Sequence, residues 1–205
     1  MVQARRPLRY MSSLNLRTVV VLLFMLANTA LLAVAGPGPG GLEEVIIVSK
    51  THFDIGYTDL ASKVVDRYRT TMADQALKLV EESRALPPDQ QFSWTLAGWP
   101  MAQILWPGQT PERRDGFLNA MRAGRLVPHA LPFTTQTESL DLEDLTRGLS
   151  WSVEMARLAG RPLPTAAKMT DVVSHTRATA TILAQAGVKF FHIGCNEGCS
   201  RPEVP

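Results

Sequence analysis

Residues 45–59 read VIIVSKTHFDIGYTD: a continuous apolar run, then a histidine and a carboxylate two positions apart. Val45 to Ser49 has the composition of a short strand buried on both faces, the kind found in parallel sheets. Side chains alternate along extended chain, so His52 and Asp54 face one way and Phe53 the other, into packing. Imidazole nitrogen and carboxylate oxygen make an ordinary ligand pair for zinc or a similar divalent ion. Gly56 lets the main chain turn tightly behind them. The same residues also suit a polar loop that contains a histidine, and H-x-D alone does not separate the two readings.

Downstream of this stretch the chain alternates between two hydrophobic periods. From Ala61 to Leu86, Val65, Tyr68, Met72, Ala76, Leu79 and Val80 recur at helical spacing, and Pro87-Pro88 closes the run. Phe92 to Ala97 reads as a second strand. Thr110-Pro111 opens a helix as N-cap and first position, with Gly124 just past its end. Arg125 to Ala130 reads as a third strand, and Leu142 to Ala159 as a helix stopped by Gly160. Thr165 to Thr170 is a fourth strand, Thr176 to Ala186 a helix stopped by Gly187, and Val188 to Ile193 a fifth strand. Strand and helix in this rhythm predict an α/β fold with a mostly parallel sheet.

The first 35 residues differ from the rest. Arg5, Arg6, Arg9 and Arg17 precede an uncharged apolar run from Val19 to Val34 that ends in Ala33-Val34-Ala35. This pattern predicts a signal peptide over 1–35, with export to the periplasm or outside the cell, and a membrane anchor where the run stays uncleaved. GPGPGG, at 36–41, continues it as a flexible spacer to residue 42, and the folded part spans 43–205. Of 21 basic and 19 acidic residues, four basic ones lie in the export segment, so the remainder carries 17 against 19, a charge of −2. The basic balance of the full chain therefore belongs to targeting and gives no reason to expect nucleic acid. Cys195 and Cys199 suit a small disulfide loop or two free thiols better than a zinc knuckle, which needs a second ligand pair.

Polar residues gather where the strands end. His52 and Asp54 follow the first strand, Asp171 and His175 follow the fourth, and His192 ends the fifth. Loops at the carboxyl ends of parallel strands converge on one face, so these residues can meet. Taken singly, Asp171 also suits a helix N-cap and His175 a polar helix start. Among the tryptophans, Trp94 and Trp106 suit packing, whereas Trp99, between Gly98 and Pro100 at a strand end, is the candidate platform for a ligand. His129 reads equally as a satisfied polar residue or a functional one.

The order of these features resembles the N-terminal catalytic domain of glycoside hydrolase family 38, the α-mannosidases. VIIVSKTHFDIGY resembles the family's opening strand with its H-x-D-x-G-aromatic motif, and FSWTLAGWPMAQILW its next strand with a downstream tryptophan. RAGRL, at 122–126, and DVVSHTRATATILAQAGVKFF, at 171–191, continue the resemblance, which covers nearly all of 43–195. The resemblance implies a partial β/α barrel, seven-stranded in the complete family domain. It implies one zinc ion held by His52, Asp54 and Asp171, with Asp171 also the catalytic nucleophile, and His175 and Trp99 at the substrate. The implied partner is a carbohydrate and the implied reaction retaining hydrolysis, in which a second carboxyl group protonates the leaving oxygen.

Three departures accompany the resemblance. Trp94-Thr95-Leu96 replaces an aromatic-alanine-glutamate sequence, D-V-V-S-H replaces D-P-F-G-H, and the family's general acid and further histidine ligand lie beyond the position of Pro205. Residues 36–205 are therefore expected to be inactive alone, as an N-terminal part of a glycosidase. Two other readings stand beside it: a carbohydrate-binding module without chemistry, and a metal-dependent carbohydrate deacetylase.

Overall fold

Among the described residues, five short strands, all paired in parallel, carry the architecture. The computed structural model describes residues 44–194 and 196; the expected signal peptide, the whole spacer to residue 42, Cys195 and Cys199 lie outside them. Strands β1 (Ser49–Lys50), β2 (Trp94–Ala97) and β3 (Leu126–His129) form one sheet in that order, and β4 (Ala166–Thr170) and β5 (Phe190–Gly194) form a second. Ser49 pairs with Trp94, Trp94 with Leu126 and Ala97 with His129; Ala166 pairs with Phe190 and Lys168 with His192. The α/β reading with parallel strands holds. The described strands make two small sheets, and a closed barrel is not among their pairings.

Between β1 and β2 the chain is helical from Ala61 to Glu82, but not uniformly. Helix α1 (Ala61–Arg67) passes through a π turn at Tyr68–Met72 into α2 (Ala73–Glu82). The buried residues are Val64, Tyr68, Ala73 and Ala76, and the five-residue step from Tyr68 to Ala73 is the extra residue of the π turn. Leu79, expected on the inner face, is exposed because that step rotates the face.

Helix α3 (Gly98–Ile104) begins directly after β2, and α4 (Pro111–Arg122) starts with Thr110 as N-cap, its side chain accepting from Arg113 N at 3.4 Å. The single helix expected over 142–159 is two, α5 (Leu142–Gly148) and α6 (Ser150–Leu158), and α7 (Ala178–Gln185) precedes β5. Leu149 sits at the break, its amide donating to Thr146 O rather than to the carbonyl four residues back.

The first strand departs most from expectation. Val45, Ile46, Ile47 and Val48 are outside any strand and 57 to 84% exposed. Apolar composition alone does not bury a segment; it needs neighbours on both faces, and only Ser49 and Lys50 reach the edge of β2.

Apolar side chains gather in two clusters. Phe53, Tyr68, Trp94, Leu96, Met101, Ile104, Phe117, Met121 and Leu126 belong to the larger, between the first sheet and its helices. Leu131, Leu149, Met169 and Leu183 belong to the smaller, around β4. Each fully buried aliphatic or aromatic side chain contributes about 1.5–3 kcal/mol. Ser152 joins helix to strand: its Oγ donates to His129 O at 2.7 Å and lies 3.3 Å from Leu131 O. Gly98 packs against it so closely that a Cβ there would stand 2.8 Å from Ser152 Cα and 2.5 Å from Ser152 N.

Two glycine substitutions should therefore act in opposite directions. Gly98→Ala forces α3 off α6 and should lower the urea midpoint by the equivalent of about 1–3 kcal/mol. Gly116→Ala, inside α4, meets only the flexible end of Leu77 at 3.2 Å and should raise it by up to about 1 kcal/mol through helix propensity. Equilibrium urea unfolding of both variants checks the pair.

Candidate functional site

His52 owes its place to the residues on either side of it. Phe53 is buried, edge-on to Tyr68 at 4.9 Å and to Trp99 at 5.6 Å between ring centroids. The Tyr68 hydroxyl lies 3.0 Å from Thr51 Oγ1 and 3.3 Å from His52 O, so the π turn of the helix holds the main chain leading to the imidazole. Burial raises the Tyr68 pKa above the ordinary phenol value, which keeps the hydroxyl protonated as a donor. With Phe53 turned inward, His52 is left facing out, as the alternation predicts.

Asp171 is the first residue past β4, and its amide donates to Gly194 O at 2.9 Å. Its φ is +74°, and Ser174 follows at +63°. A left-handed non-glycine residue costs about 1–2 kcal/mol, less for aspartate. Contacts from outside the loop maintain it. Glu138 N donates to Ser174 O at 3.1 Å, and Thr176 N donates to the hydroxyl of Thr137, which is buried, at 2.9 Å. Thr137 Oγ1 also lies 3.5 Å from His175 Nδ1, while His175 Nε2 is buried without a hydrogen-bond partner among the described residues. Thr137 escaped the sequence reading because a threonine in a polar loop carries no motif.

These two segments bring His52 Nε2 within 3.4 Å of Asp171 Oδ2. Both side chains are substantially exposed, so the contact adds little stability and does not offset the strain of the loop. Its geometry matters more. Two ligands on one tetrahedral zinc, at bond lengths near 2.0–2.2 Å, stand about 3.3–3.5 Å apart. The pair therefore fits two positions of such an ion. Asp54 is half-buried and does not join them: no group of three His, Cys, Asp or Glu side chains gathers at metal-binding distance among the described residues.

Trp99 is half-buried among aromatics, with Phe133 edge-on at 6.3 Å as well as Phe53. Trp94 is buried, with its indole N–H unpartnered among the described residues, and Trp106 receives the Arg69 guanidinium 4.2 Å above its ring. Trp94 thus lies in the packed core, while Trp106 is exposed under the guanidinium. His129 is half-buried, and its Nδ1 accepts from Leu131 N at 3.3 Å. Desolvation first, then the charges of Lys168 and Lys50, lower its pKa to about 4.

No protein-family model and no curated protein matches the sequence. Among solved structures, an α-mannosidase from Enterococcus faecalis V583 is similar in fold, with a TM-score of 0.56 and 18% identity. The similarity covers 71% of this chain and 16% of that one, so the chain corresponds to a small part of that protein's length. The fold is mannosidase-like over the part that is shared.

Two measurements test this geometry. Thr137→Val removes the acceptor for Thr176 N; the variant should lose about 1–3 kcal/mol in urea unfolding. His129, neutral when folded, takes a proton more readily when unfolded, near the ordinary 6.5. Its contribution is full above that pH and is lost as pH falls from about 6.5 to about 4, by at most ~1.4 kcal/mol per pH unit. The urea midpoint should fall over that window, and less steeply in His129→Gln.

Proposed function

We propose that the chain is part of an exported, zinc-dependent retaining glycosidase of the α-mannosidase type, in the manner of glycoside hydrolase family 38, acting on mannose-containing glycans. One observation carries the reading: on a mannosidase-like fold, His52 and Asp171 come from the carboxyl ends of different strands and stop 3.4 Å apart. Folding tolerates a left-handed aspartate there, on a loop pinned by Thr137, although the exposed contact returns little stability. Such local strain is characteristic of functional sites.

In this reading His52 and Asp171 would hold the ion, and Asp54, which stands apart from them on the segment of His52, would have to turn toward it to serve as the third ligand. Bound zinc would supply Lewis-acid binding of sugar hydroxyls. Asp171 is the nucleophile: one carboxylate oxygen forms a bond to the anomeric carbon as the bond to the leaving oxygen breaks. A second carboxyl group must deliver the proton to that oxygen, and water then displaces Asp171 with the same configuration at the anomeric carbon. The main-chain bond from Asp171 N to Gly194 O and the Thr137 tether orient the carboxylate through both steps. His175, tied to the same threonine, orients the loop, and Trp99, packed edge-on to Phe53 next to His52 in sequence, is the aromatic residue this reading assigns to the sugar.

A second reading, a carbohydrate-binding module without chemistry, draws on the pairing of two rather than three metal donors among the described residues.

An activated 2-deoxy-2-fluoromannosyl fluoride needs little protonation of its leaving group, so it tests the nucleophile independently of the acid. Mass spectrometry after incubation with zinc should show one added fluoromannosyl group on the peptide carrying Asp171. Asp171→Asn should abolish the label and lower zinc affinity by about tenfold or more. Full zinc affinity in that variant would remove Asp171 from the ligand set. Stoichiometric zinc binding with no label in the wild type would favour the binding-module reading.

A further inference from the structure

Alternation along the strands turns Lys50, Thr95, His129, Lys168 and Thr170 to one side, opposite the residues packed under the helices. With Thr134 they line a small cavity of about 20 Å³, partly open to solvent, room for roughly one water-sized group. His52 and Asp171 do not line it, although Thr51 and Thr170 place it beside them.

The charges around this cavity are of one sign. Lys50 Nζ lies 3.4 Å from Thr170 Oγ1, and Lys168 lines the same cavity. Two ammonium groups that share a partly desolvated cavity repel unless an anion lies between them. The cavity lining contains no acidic side chain. His129 adds a third donor: with Nδ1 accepting from Leu131 N, the ring proton resides on Nε2. The hydroxyls of Thr95, Thr134 and Thr170 complete a lining rich in donors. Burial, and then the charge of Lys50, lower the pKa of Lys168.

We propose that Lys50, Lys168 and His129 form an oxyanion site at the strand ends, which takes a phosphate or carboxylate group. Taken with the glycosidase reading, on which this step rests, the site selects sugars that carry such a group over neutral mannose. An oxygen of the anion enters the cavity between the two lysines, and the rest of the ligand extends toward His52 and Asp171. A neutral sugar hydroxyl in the same place would leave the lysine repulsion unrelieved.

Thermal unfolding of the full chain, stripped of metal with EDTA, separates this site from the zinc reading. Inorganic phosphate should raise Tm saturably, beyond sodium chloride at equal ionic strength, and mannose 6-phosphate should saturate at about tenfold lower concentration. Mannose should have no effect. Lys168→Met should lose the phosphate response, Lys168→Arg should retain it, and His52→Ala and Asp171→Asn should leave it unchanged. A flat phosphate response, or an equal one in Lys168→Met, would overturn the site. A phosphate response no weaker than that to mannose 6-phosphate would leave the anion site standing and overturn its sugar ligand. Because metal is absent throughout, failure of the Asp171 labelling would not alter these results.

Discussion

The amide of Ala130 donates to the carbonyl of Ala166 at 2.8 Å, and this main-chain bond joins the two sheets. A backbone donor at the end of β3 must be satisfied, and the start of β4 satisfies it. Once that bond sets β4 beside β3, the period of the strand decides which side each residue faces. Ala167 and Met169 turn into the apolar cluster with Leu131 and Leu183, and Lys168 and Thr170 turn to the side that carries Lys50 and His129. Asp171 then emerges where His52 ends its own segment. The proximity of histidine and aspartate is thus a product of register, to which their own attraction adds little.

Much of this order was legible in local sequence. Gly124, Gly160 and Gly187 have φ of +64° to +83° and stand where helices end, as their positions suggested. Phe53 turns inward, and Asp171 directly follows β4. Helix α3 was hidden because Gly98-Trp99-Pro100 reads as a turn, yet proline in the first helical turn forgoes no intrahelical bond. The break at Leu149 was hidden because Leu145, Leu149, Val153 and Ala156 keep helical spacing through it. What the pattern omits is a neighbour: a Cβ on Gly148 would stand 3.0 Å from Pro132 Cγ, so this stretch fits under the loop after β3.

Contacts between distant segments were the least legible. H-x-D and D-x3-H were each visible, but nothing local states that His52 and Asp171 approach while Asp54 stays apart. The lysines are a sharper case. Lys50 and Lys168 are ordinary residues of their own strands, and only the arrangement of two sheets places them together. Val45 to Val48 errs in the opposite sense. Composition alone marked it as interior, but composition cannot supply the second neighbour that burial requires.

The π turn at Tyr68–Met72 sets a phase for everything on either side of it. An α-helix advances 100° per residue, so the added residue offsets the Val64–Tyr68 face from the Ala73–Ala76 face by about one such step. Both faces meet the same core only because of that offset. Deleting one residue from Arg69 to Thr71 would restore a regular helix and swing one half away from its partners. If Ala73 and Ala76 kept their seats, the Tyr68 ring would leave Phe53, and its hydroxyl would leave the Thr51 hydroxyl and the His52 carbonyl. The helix works as a vernier between packing and site, and the count of residues along it, more than their identity, keeps the imidazole aimed.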